Sequence, residues 1–114
     1  MFPQACHDKL IDRILDSGPL FDRGWCEAFN RLPCPVCLHG FPDNASTFRH
    51  QLPALANAGY RAISLTLRGY EAASIPPDQD YSVEAIVTDI VAVIDALGHN
   101  PVHLIGHDWG AAVA

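Results

Sequence analysis

Between residues 34 and 114 the apolar positions switch repeatedly between two patterns. Short continuous runs, Pro35 to His39, Tyr60 to Leu67 and Val102 to Ile105, read as strands buried on both faces. Apolar residues three or four apart fill the stretches between them. Phe48, Leu52, Leu55 and Ala56 share one face of a helix predicted over Thr47 to Ala58, with Gly59 as its stop and Pro53 as a point where it kinks or splits. Ile86, Ile90, Val93, Ile94 and Leu97 form the stripe of a second helix over Val83 to Leu97, opened by Ser82 as N-cap and closed by Gly98. Arg68 to Asp80, with Gly69, Pro76 and Pro77, reads as a loop, and Ala111, Ala112 and Ala114 begin a third helix.

Strand and helix alternating in this way predict an α/β fold, a mostly parallel sheet with helices on both faces. In such sheets active sites gather at the carboxyl ends of the strands. Two glycine turns, His39-Gly40 and Gly106 to Gly110, fall at such ends. Residues 1–33 are poorly patterned. Ile11 to Leu20 is extended and then turns at Asp16-Ser17-Gly18-Pro19, and Trp25, Phe29 and Leu32 have helical spacing within Asp22 to Leu32. The chain therefore divides into an amino-terminal segment with early strands, 1–33, and a core domain, 34–114.

Gly106-His107-Asp108-Trp109-Gly110 carries the strongest chemical signal. A sharp strand-to-helix turn needs small residues two positions either side of its apex, and it thrusts the apex side chain outward in strained backbone geometry. Here the apex is Asp108, a carboxylate nucleophile, and the N–H groups opening the next helix favour its ionised form. The plain alternative is that Asp108 caps the following helix. The strand before it, the alanine-rich stretch after it and a second motif upstream favour the nucleophile. That motif is His39-Gly40-Phe41-Pro42. If its strand neighbours the one leading to Asp108, the two turns face each other about 4.8 Å apart. The backbone N–H groups of Phe41 and Trp109 then form an oxyanion hole. The sharp turn makes Phe41-Pro42 a candidate cis peptide. His39, Gly40, Gly106 and Gly110 are supporting positions.

Charge and cysteines narrow the picture. The formal net charge of −6 argues against nucleic acid and anionic membranes as partners, and no apolar run is long enough to span a bilayer. The start, Met1 to Lys9, lacks a basic region followed by an apolar one, so a cytoplasmic location is the default expectation. Cys34 and Cys37 have C-x-x-C spacing, which raises metal or redox chemistry. No second ligand pair follows, and the run Val36-Cys37-Leu38 places both thiols in or at the start of a strand. Packed thiols are the expectation, with neither a metal site nor a cofactor.

Taken together, HGFPDN (39–44), LRGY (67–70) and HLIGHDWGAA (103–112) resemble the α/β-hydrolase superfamily, in its Asp-nucleophile branch of epoxide hydrolases and haloalkane dehalogenases. The likeness covers roughly residues 35–114. Haloalkane dehalogenases usually carry Asn or Glu where this chain has Phe41. Fluoroacetate dehalogenases usually carry Arg where it has Trp109. The pair Phe41 and Trp109 therefore looks most like an epoxide hydrolase, with a haloalkane dehalogenase-type hydrolase and a non-catalytic hydrolase-like chain as alternatives. The resemblance implies that Asp108 attacks an epoxide carbon to form an ester. A water activated by a His paired with a carboxylate then releases a vicinal diol. It also implies a small apolar epoxide as substrate and a pocket lined by Trp109, Phe41 and Pro42.

In the family the catalytic His, its acid partner and the cap domain follow well after the elbow. The resemblance thus implies that residues 34–114 are the amino-terminal part of the α/β-hydrolase fold, truncated after the nucleophile elbow and inactive alone. His7, His39, His50, His99 and His103 all precede the elbow and do not match the family's His. The strand Val102 to Ile105 would be an exposed apolar edge. The expectation is a chain that is marginal, aggregation-prone or reliant on a second copy to cover that edge. Glu71 also departs from the small residue usual after Arg-Gly-Tyr in the family.

Overall fold

The structure is a computed structural model and describes residues 14–16, 34–98 and 102–114. Four strands form one sheet in the order β1-β3-β2-β4: β1 Ile14–Asp16, β2 Cys34–Leu38, β3 Ile63–Leu65 and β4 Val102–Gly106. β2 pairs in parallel with both β3 and β4, and β1 pairs antiparallel with β3. The short extended stretch expected before Asp16 is β1. Asp16, expected to open a turn, is the last residue of β1; the rest of that turn, residues 17–19, the helix expected within Asp22 to Leu32, and Cys6, Cys26, His7 and His99 lie outside the described residues.

Alternation along β2 divides the core. Cys34, Val36 and Leu38 face one side with Ile63, Leu65, Ile90 and Val93, while Cys37 faces the other with Phe48, Leu52 and Ala62. The first side is covered by α2, Val83–Leu97, and the second by a 3-10 turn, Ala45–Phe48, and by α1, Gln51–Asn57. Helices thus lie on both faces, as the alternating pattern predicts. Val36, Leu38 and Ile63 are fully buried, each contributing on the order of 1.5–3 kcal/mol of apolar transfer energy. The C-x-x-C thiols are buried and on opposite faces. The Cys34 thiol donates to the Arg61 carbonyl at 2.8 Å, and burial pushes the Cys37 thiol up to about 11.

α2 has the predicted limits. The Ser82 hydroxyl accepts from the Ala85 N–H, and Gly98 closes the helix at φ 64°. Two other elements differ from expectation. The helix expected over Thr47 to Ala58 is split into the 3-10 turn and α1, and Pro53 sits in the first turn of α1, where a missing N–H costs no internal hydrogen bond. The strand expected over Tyr60 to Leu67 narrows to Ile63–Leu65, the three residues that pair with β1 on one side and β2 on the other. Within the expected loop a further 3-10 turn forms at Ala72–Ser74.

β2 to β3 crosses one face and β3 to β4 returns across the other, passing β2. The direction of winding therefore reverses at β2, and a crevice opens between the carboxyl ends of β2 and β4. Among the described residues β4 pairs only with β2, and Leu104 and Ile105 are exposed. No described helix is long and apolar enough to cross a membrane.

Candidate active site

Leu38 of β2 lies opposite Gly106 of β4, so both glycine turns leave the sheet side by side. This is the neighbour relation on which the proposed oxyanion hole depends. β4 continues into α3, Trp109–Ala112, through Asp108, whose backbone has φ 55° and ψ −120°. A non-glycine residue in this region is strained, and the strain turns the carboxylate out of the bend. The turn is made possible by close backbone approach. A Cβ on Gly110 would strike the carbonyl of Leu38, and one on Gly106 would lie 2.5 Å from the Gly110 carbonyl oxygen. The small residues two positions either side of the apex are thus required by space.

Asp108 does not cap α3. The Gly110 N–H donates to the His107 carbonyl and the Ala111 N–H to the Asp108 carbonyl, leaving neither for the side chain. The carboxylate instead reaches across the crevice, where the Phe41 N–H donates to Asp108 Oδ2 at 2.9 Å. That bond, then one from the Trp109 N–H, hold the Asp108 carboxyl below its ordinary value. The group is open to solvent and ionised at neutral pH.

The Phe41 N–H is aimed by His39. This imidazole is fully buried at the end of β2. Its Nδ1 lies 2.8 Å from the Gly40 carbonyl oxygen, and its Nε2 accepts the Leu67 N–H at 2.9 Å. These partners fix a neutral tautomer with the proton on Nδ1. Burial lowers the His39 pKa, opposed by the Gly40 bond and by the charges of Asp43 and Glu71. The Gly40 C=O and the Phe41 N–H belong to one peptide unit, so holding the oxygen orients the hydrogen. Gly40 itself must lack a side chain, because a Cβ would collide with Asp108 Cβ and lie 2.6 Å from Oδ2. The Phe41-Pro42 bond is cis.

All eight positions singled out from the sequence lie at these two turns. Asp108 meets the backbone N–H groups of Phe41 and Trp109, and the rings of Phe41 and Trp109 and Pro42 are exposed. His39, Gly40, Gly106 and Gly110 shape the turns beneath. Three further residues had no role assigned from the sequence. Arg68 forks onto Asp89 with two bonds of 2.7 Å and donates to the Asp80 carbonyl, and Tyr70 stands edge-on to His39. Arg68 and Tyr70 were signalled only by lying in the LRGY motif, and nothing in the sequence singled out Asp89.

A nearly parallel sheet with helices on both faces, and a strained carboxylate elbow opposite a glycine turn, define a hydrolase-type α/β scaffold. The alpha/beta hydrolase fold family matches residues 36–114, and the chain belongs to it. The chain is 45% identical over 110 residues to epoxide hydrolase B of Mycobacterium tuberculosis, covering 96% of this chain and 28% of that protein. It is 42% identical over 80 residues to bifunctional epoxide hydrolase 2 of Sus scrofa, covering 68% of this chain and 14% of that protein. The crystal structure of epoxide hydrolase VrEH1 from Vigna radiata superposes with a TM-score of 0.67 at 46% identity, over 71% of this chain and 26% of that one. That of epoxide hydrolase A from Mycobacterium thermoresistibile gives 0.70 at 35% identity, over 88% and 28%. The chain thus spans between 14% and 28% of the length of these relatives.

Proposed function

We propose that this chain supplies the nucleophile and the oxyanion-stabilising amides of an epoxide-opening hydrolase. The observation that carries the reading is the ionised, solvent-facing Asp108 whose Oδ2 receives the Phe41 N–H. With Oδ2 held by Phe41, Oδ1 is the attacking oxygen. It attacks an epoxide carbon, the carbon–oxygen bond of the ring breaks, and the ring oxygen takes up a proton from water, leaving a hydroxyalkyl ester on Asp108. Water attack on the ester carbonyl develops negative charge on Oδ2, already held by the Phe41 amide, with the Trp109 amide also bonding this carboxyl, and collapse releases a vicinal diol. Both ring nitrogens of His39 are engaged, so it serves the loop and not proton transfer. The exposed Phe41 and Trp109 rings suit a small apolar epoxide. The names of the relatives, all epoxide hydrolases, support the same substrate class.

The test is intact-mass spectrometry after incubation with styrene oxide and, separately, a chloroalkane. Ring opening adds the whole mass of the epoxide, whereas displacement adds the alkyl group and releases chloride. The expected result is epoxide mass gain or diol release, either one lost in Asp108→Asn. Reaction with the chloroalkane alone, or no reaction on a folded chain, overturns the proposal. The open edge of β4 belongs to the same proposal as a surface for pairing a strand, a second copy being the partner expected from the sequence. A concentration-independent monomer by size-exclusion chromatography contradicts that part.

A further inference from the structure

Tyr70 touches both side chains that flank the peptide aimed at Asp108. Its ring centroid is 4.7 Å from that of His39 at an interplanar angle of 80°, and 6.4 Å from that of Phe41 at 67°. Both are edge-to-face arrangements, the geometry that the ring quadrupole favours. His39 holds the carbonyl end of the Gly40–Phe41 peptide, while the Phe41 ring rises from the residue whose N–H bonds Asp108.

The platform beneath Tyr70 is anchored independently of those turns. The Tyr70 N–H donates to the Leu67 carbonyl, the Gly69 N–H to the Ser74 carbonyl, and the Ser74 hydroxyl to the Glu71 carbonyl. Gly69 has φ +87° and packs so closely on Tyr81 that a Cβ would lie 2.6 Å from its ring. Arg68 ties the same turn to α2 through Asp89. Leu67, where the turn begins, also gives its N–H to His39. The turn therefore has reasons to be rigid apart from its contact with the catalytic loop, and Tyr70 transmits that rigidity. Its phenol is pushed up by burial and by the charge of Asp108, which places it within the field of the nucleophile.

We propose that Tyr70 is a positioning residue that holds His39 and Phe41 on either side of the Gly40–Phe41 peptide and so keeps the Phe41 N–H on Asp108. For its kinetic consequence this rests on the reading of Asp108 as nucleophile. Its structural consequence stands apart from that reading.

The test uses the full chain with Tyr70→Leu and Tyr70→Phe. The rate of adduct formation on Asp108 at saturating styrene oxide falls about 10-fold in Tyr70→Leu, with the half-saturating concentration changed by less than about 2-fold. Tyr70→Phe, which keeps both ring contacts, restores the rate. In parallel, Tyr70→Leu moves the amide proton resonance of Phe41 and speeds its hydrogen exchange, and Tyr70→Phe does not. If even the unsubstituted chain forms no adduct, the functional proposal fails while the amide measurement still decides the role of Tyr70. A folded Tyr70→Leu chain with an unmoved Phe41 amide overturns the inference. Should that variant not fold, nuclear Overhauser contacts from the Tyr70 ring to both the His39 and Phe41 rings of the unsubstituted chain are required, and their absence overturns it equally.

Discussion

The backbone N–H of Phe41 donates to the side-chain oxygen Oδ2 of Asp108 at 2.9 Å, although the two residues are 67 positions apart. Parallel pairing of β2 with β4 brings them together, and the space left by Gly40 lets the carboxylate approach. In the proposed reaction this bond makes Oδ2 the carbonyl oxygen of the ester and leaves Oδ1 to attack.

Gly40→Ala separates site geometry from stability. The new methyl meets Asp108 at Cβ, which cannot swing away as a side-chain tip does. The carboxylate and the Phe41 N–H part, and adduct formation drops by at least about 100-fold, as expected when a reacting group is misplaced by about 1 Å. Unchanged kinetics of mass gain would count against the close approach.

Gly110→Ala acts mainly on the fold. Its methyl points into the backbone of Leu38 and His39, so the elbow must move off β2. The expected loss is about 3 kcal/mol or more, read from urea denaturation.

Below neutral pH the native chain weakens through His39. Unfolded, His39 titrates near about 6.5, and burial lowers its native value. Above about 6.5 the group is neutral in both states and its full contribution is present. As pH falls, the unfolded chain takes the proton first, so stability declines until pH passes the lower native value. The slope from this one group is at most about 1.4 kcal/mol per pH unit. Denaturation curves at pH 7, 6 and 5 show it, and His39→Gln, weaker throughout, shows a shallower decline. Equal slopes in both chains contradict the assignment.

Asp89→Ala frees Arg68. The bidentate pair is mostly shielded, with side chains 16% and 14% exposed, and its Asp89 partner raises the Arg68 pKa further. Loss of one member costs about 2 kcal/mol, between the ranges of surface and buried pairs, and loosens the turn under Tyr70. Thermal unfolding measures the first effect and hydrogen exchange at Gly69 the second.

How far the sequence foretold this arrangement depended on how local each cause was. The limits of α2 follow from the Ser82 cap, the apolar stripe and Gly98, all within the segment itself. The elbow was legible because Gly106 and Gly110 leave a fixed spacing around Asp108. The split before α1 was signalled by Pro53 but not located, since the 3-10 turn is set by Asn44 capping Ser46 and by Ser64 of β3 and Thr66 just after it bonding Ala45. The shortening of β3 and the antiparallel partner β1 depend on pairing across the sheet. Tyr70 and Arg68 were hidden for the same reason: their partners, His39, Phe41 and Asp89, are distant in sequence.

Peptide mapping after reaction with styrene oxide tests the central claim most directly. The account predicts one modified peptide, carrying the whole mass of the epoxide on Asp108, and its absence in Asp108→Asn. Modification confined to cysteine or histidine side chains of a folded chain, with Asp108 untouched, would contradict it.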